Sequence, residues 1–189
     1  MIVIGLTGYA GSGKTTVAKY LNKKYGFTVY MFSQIVEREA RKMGLLRDGT
    51  SLEEKKRILS EVGAKIREKY GRKSIFAEML VGEINNDRPE KVCVDGFRSE
   101  EEVETFRKNF PKFLLIFLHA DPEKRYERRK AEDPGMKMVL EEFLERDERD
   151  KKIIGMDKME KLANIIIYNS GTLEELYKKI DEVVSEIEQ

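Results

Sequence analysis

The chain has 189 residues, a length that suits one core domain carrying small inserted pieces. Its 36 Lys and Arg residues nearly balance its 35 Asp and Glu residues, which argues against the strongly basic surface of a nucleic-acid-binding protein. The sequence contains no run of about 20 apolar residues and opens on a strand-like segment rather than a charged leader, so we expect a cytoplasmic protein without a membrane partner.

The amino-terminal segment predicts a strand, a glycine-rich loop and a helix in succession. Residues 1–7 are apolar and rich in β-branched side chains, as is typical of a strand buried on both faces. Residues 8–15 match the pattern G-x-x-x-x-G-K-[ST] at every fixed position. The predicted helix follows at once, and its apolar stripe consists of Val17, Ala18, Leu21 and Tyr25.

A loop of this composition is suited to hold a polyphosphate. Its glycines let the backbone turn several N–H groups inward, and the helix that follows adds positive potential. Lys14 can bridge β- and γ-phosphate oxygens, and the Thr15 hydroxyl can ligate Mg²⁺. The alternative is a turn that only joins the strand to the helix. The complete motif predicts bound ATP and Mg²⁺, contacted by Gly8, Tyr9, Ala10, Gly11, Ser12, Gly13, Lys14, Thr15 and Thr16.

The rest of the chain alternates between strand and helix patterns. Apolar runs predict strands at residues 27–32, 91–95, 113–118 and 162–168, and the third of the five strands contains the only cysteine, Cys93, as an inert core thiol. Helices are predicted at residues 34–43, 74–85 and 138–150, and others begin near residues 51, 99, 121 and 172. Their predicted N-caps include Ser33, Ser51, Ser99 and Thr172.

This order predicts an α/β protein with a three-layer P-loop fold. Apolar strands that alternate with helices form a parallel sheet, here of five strands, with helices on both faces. Three successive helices separate the second strand from the third, whereas one crossover needs a single helix, so we predict a helical insertion at one rim. Ligands of such sheets bind beyond the carboxyl ends of the strands. The loop at 8–15, Ser33, residues 95–98 and residues 169–171 should therefore share one cleft.

Two charged residues lie at and just after the carboxyl end of the third strand. Asp95 ends an apolar run, where a carboxylate can hold Mg²⁺ or orient an incoming group. Arg98 has a planar guanidinium that matches a phosphate in bidentate fashion. The alternatives are a turn cap for Asp95 and a surface salt bridge for Arg98.

Arginines recur on two helices joined by a Pro134-Gly135 break. Arg125, Arg128 and Arg129 share one face of the first helix, and Arg146 and Arg149 repeat the i, i+3 spacing on the second. Such helices can form a lid whose guanidinium groups neutralise a transferring phosphoryl group on closure. Alternatively, Glu132, Glu145 and Glu148 pair with these arginines in a solvated face.

With these motifs, the chain resembles the nucleoside monophosphate kinase group of P-loop proteins. The GLTG segment that runs into GSGK over residues 5–14 is similar to the opening of dephospho-CoA kinases. The DGFRS segment at 95–99 and the ERDER segment at 145–149 look like those of adenylate-kinase-related proteins. The similarity covers nearly the whole chain, although only the P-loop is specific alone.

The resemblance implies that three parts of the chain have different functions. A core of residues 1–32, 89–120 and 151–189 would bind ATP, the insertion at 33–88 would bind the acceptor, and residues 121–150 would form the lid. The turn at Asn169 and Gly171 would touch the adenine. The implied catalytic residues are Lys14, Asp95, Arg98, Arg125, Arg129 and Arg146.

One departure from the family concerns the acceptor. In the helix after the second strand, relatives tend to carry an Asp and, three residues later, an Arg, whereas this chain has Gln34 and Glu37. Arg38 lies one position away, and Arg67 or Arg72 is available as a substitute. The predicted acceptor-binding residues are Ser33, Arg38, Arg67 and Arg98.

Acid–base chemistry narrows the acceptor. A nucleoside monophosphate offers an oxygen that is already ionised near neutral pH, so it needs positive charge and alignment but no base. A sugar hydroxyl, as in dephospho-CoA, benefits from a carboxylate base, which Gln34 cannot be. We therefore favour a nucleoside monophosphate as the acceptor, with dephospho-CoA as the alternative. We expect the protein to be a monomer or a homodimer. The rival from another class is a nucleotide-switched regulatory ATPase.

Overall fold

The computed structural model describes residues 1–188, apart from the side chains of residues 53, 153 and 154. The strands are β1 (Ile2–Thr7), β2 (Thr28–Met31), β3 (Lys91–Asp95), β4 (Phe113–His119) and β5 (Ile165–Tyr168). The helices are α1 (Lys14–Tyr25), α2 (Phe32–Lys42), α3 (Leu52–Tyr70), α4 (Ile75–Asp87), α5 (Glu100–Asn109), α6 (Pro122–Glu132), α7 (Leu140–Ile154), α8 (Met156–Leu162) and α9 (Leu173–Glu188). None of these helices is both long enough and apolar enough to cross a membrane.

The strands form one five-stranded sheet in the order β2-β3-β1-β4-β5, and every neighbouring pair is parallel. This confirms the predicted α/β fold class. Strand β1 lies in the centre, where Leu6 is in register with Asp95 on one side and with Ile116 on the other. Because all strands run the same way, the loops after β1, β3, β4 and β5 open at one edge of the sheet.

Side chains of the central strands alternate between two apolar cores, one on each face of the sheet. Val3, Val92 and Phe117 point to the core that contains α5, α8 and the insertion helices. Ile4 and Cys93 point to the core that contains α1 and α9. Burial raises the pKa of the Cys93 thiol well above its ordinary value, which agrees with the predicted inert core thiol.

An aromatic cluster anchors the loop after β3. The ring of Phe97 meets the rings of Phe32, Phe106 and Phe113 at centroid distances of 5.0, 4.9 and 5.5 Å. The rings of Phe97 and Phe113 press against Gly5 of β1, where an added Cβ would lie 2.7 Å from the first and 2.9 Å from the second. The glycine therefore makes room for the ring that holds the loop in place.

Three of the four predicted N-cap residues form their capping hydrogen bonds. The hydroxyls of Ser51 and Ser99 accept from the backbone N–H groups of Glu54 and Glu102. Thr172 accepts from the N–H of Glu175, whose carboxylate accepts in return from the N–H of Thr172. Each of these capping patterns is local, which is why the sequence reveals them.

Three predictions about elements are wrong. Ser33 does not cap α2, because the helix begins one residue earlier at Phe32, whose ring is drawn into the aromatic cluster. The apolar pattern of the helix after Thr172 predicts that Leu173 is buried, but Leu173 is 58% exposed, since it precedes the first buried residue of α9, Leu176. The fifth strand begins at Ile165 rather than at residue 162, because the additional helix α8 buries Met156 and Met159 just before it.

Candidate active site

The loop between β1 and α1 folds into a tight nest, and neighbouring groups fill the space behind its glycines. Gly8, Gly11 and Gly13 have φ values of +132°, +76° and +100°, which side chains rarely adopt. An added Cβ would lie 2.3 Å from the Leu118 carbonyl oxygen at Gly8 and 2.6 Å from the Arg125 carbonyl oxygen at Gly11. The glycines are therefore required both by the turn and by the close approach of the surrounding backbone.

Lys14, the first residue of α1, reaches back over this loop. Its Nζ donates hydrogen bonds to the carbonyl oxygens of Gly8 at 2.8 Å and Tyr9 at 2.9 Å. Burial lowers the pKa of Lys14 from 10.5 to about 8; Asp95 opposes this change, whereas Arg98, Arg125 and Arg129 lower it further. The three guanidinium groups come from two different elements, and their charges converge on one lysine.

Thr15 and Asp95 form the next part of the site. The Thr15 hydroxyl donates to Asp95 Oδ2 at 3.4 Å, and it joins the start of α1 to the end of β3. The other carboxylate oxygen, Oδ1, is buried and has no hydrogen-bond partner among the described residues. Burial raises the pKa of Asp95, whereas Lys14, the Thr15 hydroxyl and Arg98 oppose that rise. A hydroxyl beside an unsatisfied carboxylate oxygen fits the oxygen ligands that Mg²⁺ prefers.

Asn169, at the end of β5, braces the loop from the side. Its Nδ2 donates to the carbonyl oxygen of Ser12 at 2.9 Å, and its backbone N–H donates to His119 at 2.7 Å. Its own carbonyl oxygen accepts from Arg128 Nη2 at 2.9 Å. Asn169 is thus buried, and its side-chain amide is engaged in a hydrogen bond with the backbone of the P-loop. Gly171, which was predicted to contact the adenine together with Asn169, is exposed. A Cβ added at Gly171 would lie 1.7 Å from a carboxylate oxygen of Glu175.

Arg125 is a buried anchor between the loop and the two arginine-bearing helices. Its guanidinium donates to the carbonyl oxygens of Ala120 at 2.9 Å and Ala10 at 3.2 Å, and it pairs with Asp147 of α7. The same group lies over the Tyr9 ring at 5.1 Å. Burial, followed by Asp157 and Asp147, raises the pKa of Tyr9 to about 12. The guanidinium donors of Arg125 are therefore occupied by the Ala120 carbonyl oxygen, by the P-loop backbone at Ala10 and by Asp147.

Arg98 lies at the mouth of the same cleft and is exposed. Its guanidinium forms no ion pair with the side chains that the structure describes, unlike Arg129, which pairs with Glu132 at 2.6 Å. Arg146 on α7 is half-buried and likewise has no ion pair among the described side chains. Arg98 and Arg129 both lower the pKa of Lys14, which indicates that their charges lie near the loop.

The predicted acceptor-binding residues of the insertion fall into two places. Arg38 pairs with Glu83 and lines a groove between α2 and α4 together with Ile35 and Met79, and no P-loop residue lines that groove. Ser33 is exposed on the second position of α2. Arg67 instead faces the core, where its Nη2 lies 3.3 Å from a carboxylate oxygen of Glu102. Of these three, only Arg67 is connected to the loop that carries Arg98.

Two residues that sequence reasoning did not assign to the site belong to its framework. Glu102 was interpreted only as part of a helix-capping pattern, yet its carboxylate is buried between Arg67 and the backbone of Arg98. Asp147 lies within the ERDER segment, and it neutralises Arg125. A carboxylate on the apolar face of α5 was the available signal for Glu102, since Val103 and Phe106 beside it are buried.

Comparisons with known proteins identify the family. A family model described as an AAA domain matches residues 4–155. A UPF0200 protein from Methanothermobacter thermautotrophicus is 31% identical over 190 residues, which cover 99% of this chain and 91% of the relative. The chain belongs to the AAA domain family and to the UPF0200 family. Another UPF0200 protein, from Thermococcus gammatolerans, is 33% identical over 195 residues, covering 99% of this chain and 95% of its own.

Solved structures share the fold of this UPF0200 family member. TT1252 from Thermus thermophilus has a TM-score of 0.64 and 23% identity, covering 98% of this chain and 97% of that one. Shikimate kinase from Bacteroides thetaiotaomicron has a TM-score of 0.63 and 15% identity, covering 100% and 99%. Shikimate kinase from Acinetobacter baumannii, in complex with shikimate, has a TM-score of 0.60 and 20% identity, covering 98% and 94%. The chain thus has a P-loop kinase-like fold, and the closer grouping with adenylate kinases stays a prediction.

Proposed function

We propose that this protein is a nucleotide kinase that transfers the γ-phosphoryl group of ATP, bound with Mg²⁺, to a nucleoside monophosphate. The observation that carries the proposal is the convergence of charge on Lys14, whose pKa is lowered by Arg98, Arg125 and Arg129 as well as by burial. Asp147 and Glu132 pair with Arg125 and Arg129, whereas Arg98 has no ion pair among the described side chains. Lys14 and Arg98 are therefore the groups whose mutual repulsion the negative charge of a bound polyanion would relieve. A triphosphate facing an acceptor phosphate supplies that charge.

Each residue of the proposed site has a role that follows from its position. The inward backbone N–H groups of the nest and Lys14 bind the polyphosphate, and Lys14 must exchange its hydrogen bonds to the Gly8 and Tyr9 carbonyl oxygens for phosphate oxygens. Thr15 and Asp95 are the residues that would hold Mg²⁺. When bound, Mg²⁺ supplies positive charge to the β- and γ-phosphate oxygens. Arg98 aligns the acceptor phosphate in the cleft.

The surroundings of Asp95 favour a phosphate acceptor over a hydroxyl acceptor. A hydroxyl needs a carboxylate within hydrogen-bond reach to take its proton. Asp95 is the carboxylate beside the nest, and it is engaged with the Thr15 hydroxyl and attracted by Lys14. If Asp95 took the proton of a hydroxyl acceptor, its carboxylate would no longer be available to hold Mg²⁺. An ionised monophosphate avoids this conflict because it attacks without losing a proton.

An acceptor screen tests the proposal. Purified protein is incubated with Mg²⁺-ATP and, one at a time, the ribo- and deoxynucleoside monophosphates, dephospho-CoA and shikimate, which is included because two structural neighbours are shikimate kinases. Products are resolved by chromatography. Formation of ADP and a diphosphate with at least one monophosphate is the expected result. Phosphorylation of dephospho-CoA or shikimate alone, or ADP formation that is independent of every acceptor, would contradict it; the last outcome is the mark of a switched ATPase.

A further inference from the structure

A buried carboxylate connects Arg98 and Arg67, two of the residues predicted to bind the acceptor. Glu102 of α5 is 1% exposed. Its Oε2 accepts a hydrogen bond from the backbone N–H of Arg98 at 2.8 Å, and its Oε1 accepts from Arg67 Nη2 at 3.3 Å. Buried carboxylates are costly unless their oxygens are paired, and here one oxygen serves each arginine.

The loop that carries Arg98 is held at several points. The backbone N–H groups of Gly96 and Phe97 donate to the Leu6 carbonyl oxygen of β1 at 3.1 and 3.3 Å. The Thr7 hydroxyl donates to the Phe97 carbonyl oxygen at 2.9 Å. The Phe97 carbonyl and the Arg98 N–H belong to one peptide group, so the Thr7 hydroxyl and the Glu102 carboxylate hold this peptide at its two ends. Glu102 is the partner of its N–H, from which the Arg98 side chain follows.

On its other side, Glu102 reaches the insertion. Arg67 belongs to α3, and its guanidinium also lies over the Phe76 ring of α4 at 4.9 Å. The ring and the carboxylate thus hold the guanidinium from two directions, although the side chain keeps 35% of its exposure. The Glu102 carboxylate is therefore a polar connection between the insertion and the Arg98 loop, in addition to the apolar contact of Phe32 with Phe97.

We propose that Glu102 is a positioning residue that sets Arg98 and Arg67 at a common spacing for the acceptor phosphate. The proposal rests on the proposed function, because it assigns the pair to that acceptor. Glu102 acts through the arginines and does not itself touch a substrate. Its loss should impair acceptor use while ATP use stays intact, since the P-loop, Thr15 and Asp95 do not contact it.

Two variants separate the two contacts. Glu102→Ala removes both. In Glu102→Gln, the amide oxygen can still accept from the Arg98 N–H, whereas the amide nitrogen cannot accept from Arg67. The matched control is Glu101→Gln, which alters the neighbouring exposed carboxylate that pairs with Lys73 at 3.7 Å.

The experiment combines hydrogen exchange with steady-state kinetics. We expect the Arg98 amide of the ligand-free protein to lose protection in Glu102→Ala and to keep it in Glu102→Gln and Glu101→Gln. With AMP, CMP, UMP and GMP as acceptors, the acceptor KM of Glu102→Ala should rise about tenfold or more, with the ATP KM within about twofold, and Glu102→Gln should lie between it and the wild type.

The outcomes distinguish this proposal from the proposed function. If the wild type phosphorylates none of the ribo- and deoxynucleoside monophosphates of the acceptor screen, the proposed monophosphate activity is contradicted, and the protection of the Arg98 amide decides whether Glu102 positions the loop. Unchanged protection in both Glu102 variants overturns the positioning role. So does a lowered Tm with both KM values unchanged, because that pattern identifies Glu102 as a helix cap only. If Glu102→Ala does not fold, the decision rests on Glu102→Gln, for which an acceptor KM equal to that of Glu101→Gln overturns the proposal.

Discussion

Arg125 of α6 and Asp147 of α7 form an ion pair that is almost completely buried, with side-chain exposures of 4% and 12%. Because the same guanidinium donates to the Ala10 carbonyl oxygen at 3.2 Å, the pair joins both arginine-bearing helices to the P-loop. The predicted lid residues 121–150 are therefore attached at their base. If these helices close over a ligand, the movement must occur beyond this pair, nearer to the Pro134-Gly135 break.

The first prediction concerns the stability of this pair. Asp147→Asn should lower the free energy of unfolding by about 3–5 kcal/mol, because it leaves the Arg125 charge buried without its partner. Replacing both residues, as in Arg125→Met with Asp147→Leu, should recover most of that loss. Urea unfolding followed by circular dichroism measures both. The exposed Glu145→Gln on the same helix is the control, and an equal loss there would refute a specific role for the pair.

The second prediction is a pH dependence at Lys14. Its pKa in the folded protein is about 8, below the ordinary value of 10.5, so the folded state binds fewer protons than the unfolded state between these values. Stability of the free protein should therefore rise with pH from about 8 to about 10.5 through this group. The negative charge of a bound polyphosphate favours the charged ammonium of Lys14. Binding of Mg²⁺-ADP should therefore take up protons near pH 9, and its affinity should weaken as the pH rises above about 8.

Calorimetry in two buffers of different ionisation enthalpy measures this proton uptake. Lys14→Arg is the informative control, because a guanidinium stays charged throughout and should take up no proton. Lys14→Ala should abolish both nucleotide binding and turnover. Equal proton uptake by the wild type and Lys14→Arg would assign the effect to another group.

The third prediction separates stability from activity at Asp95. Burial raises its pKa above the ordinary value of 3.8, so the folded state binds the proton more tightly, and stability falls as the pH rises through the interval above 3.8. Asp95→Asn should therefore raise Tm by a few degrees, as about 1 kcal/mol would do, while phosphoryl transfer is lost. A lowered Tm in calorimetric scans would show that the carboxylate stabilises the fold.

The fourth prediction concerns Arg98, which has no ion pair among the described side chains and faces the cleft. Arg98→Ala should lower kcat/KM for the acceptor about 10- to 100-fold, the effect of losing a charge-assisted contact to phosphate. Acceptor-independent ATP hydrolysis should change by less than about twofold. Arg57→Ala, which removes an exposed arginine paired with Glu61 on α3, serves as the control. If transfer and hydrolysis fall equally in Arg98→Ala, its acceptor role is refuted.

Local patterns made much of the fold predictable. The P-loop could be read because its glycines, Lys14 and Thr15 are adjacent in the chain and its chemistry requires that spacing. The capping hydrogen bonds of Ser51, Ser99 and Thr172 each join two residues that are only three positions apart. Helix α8 was missed since its seven residues bury only two methionines, too few for a recognisable period.

The sequence by itself determined the order of the strands and of the helices other than α8, the glycine nest and the set of charged residues at the sheet edge. Only the tertiary structure decided which of these residues are engaged and by what: Asn169 meets the carbonyl oxygen of Ser12, 157 positions away, and Glu102 meets Arg67, 35 positions away. The physical reason is that periodicity records the face on which a side chain lies, whereas its partner is supplied by another element brought close through packing of the two cores.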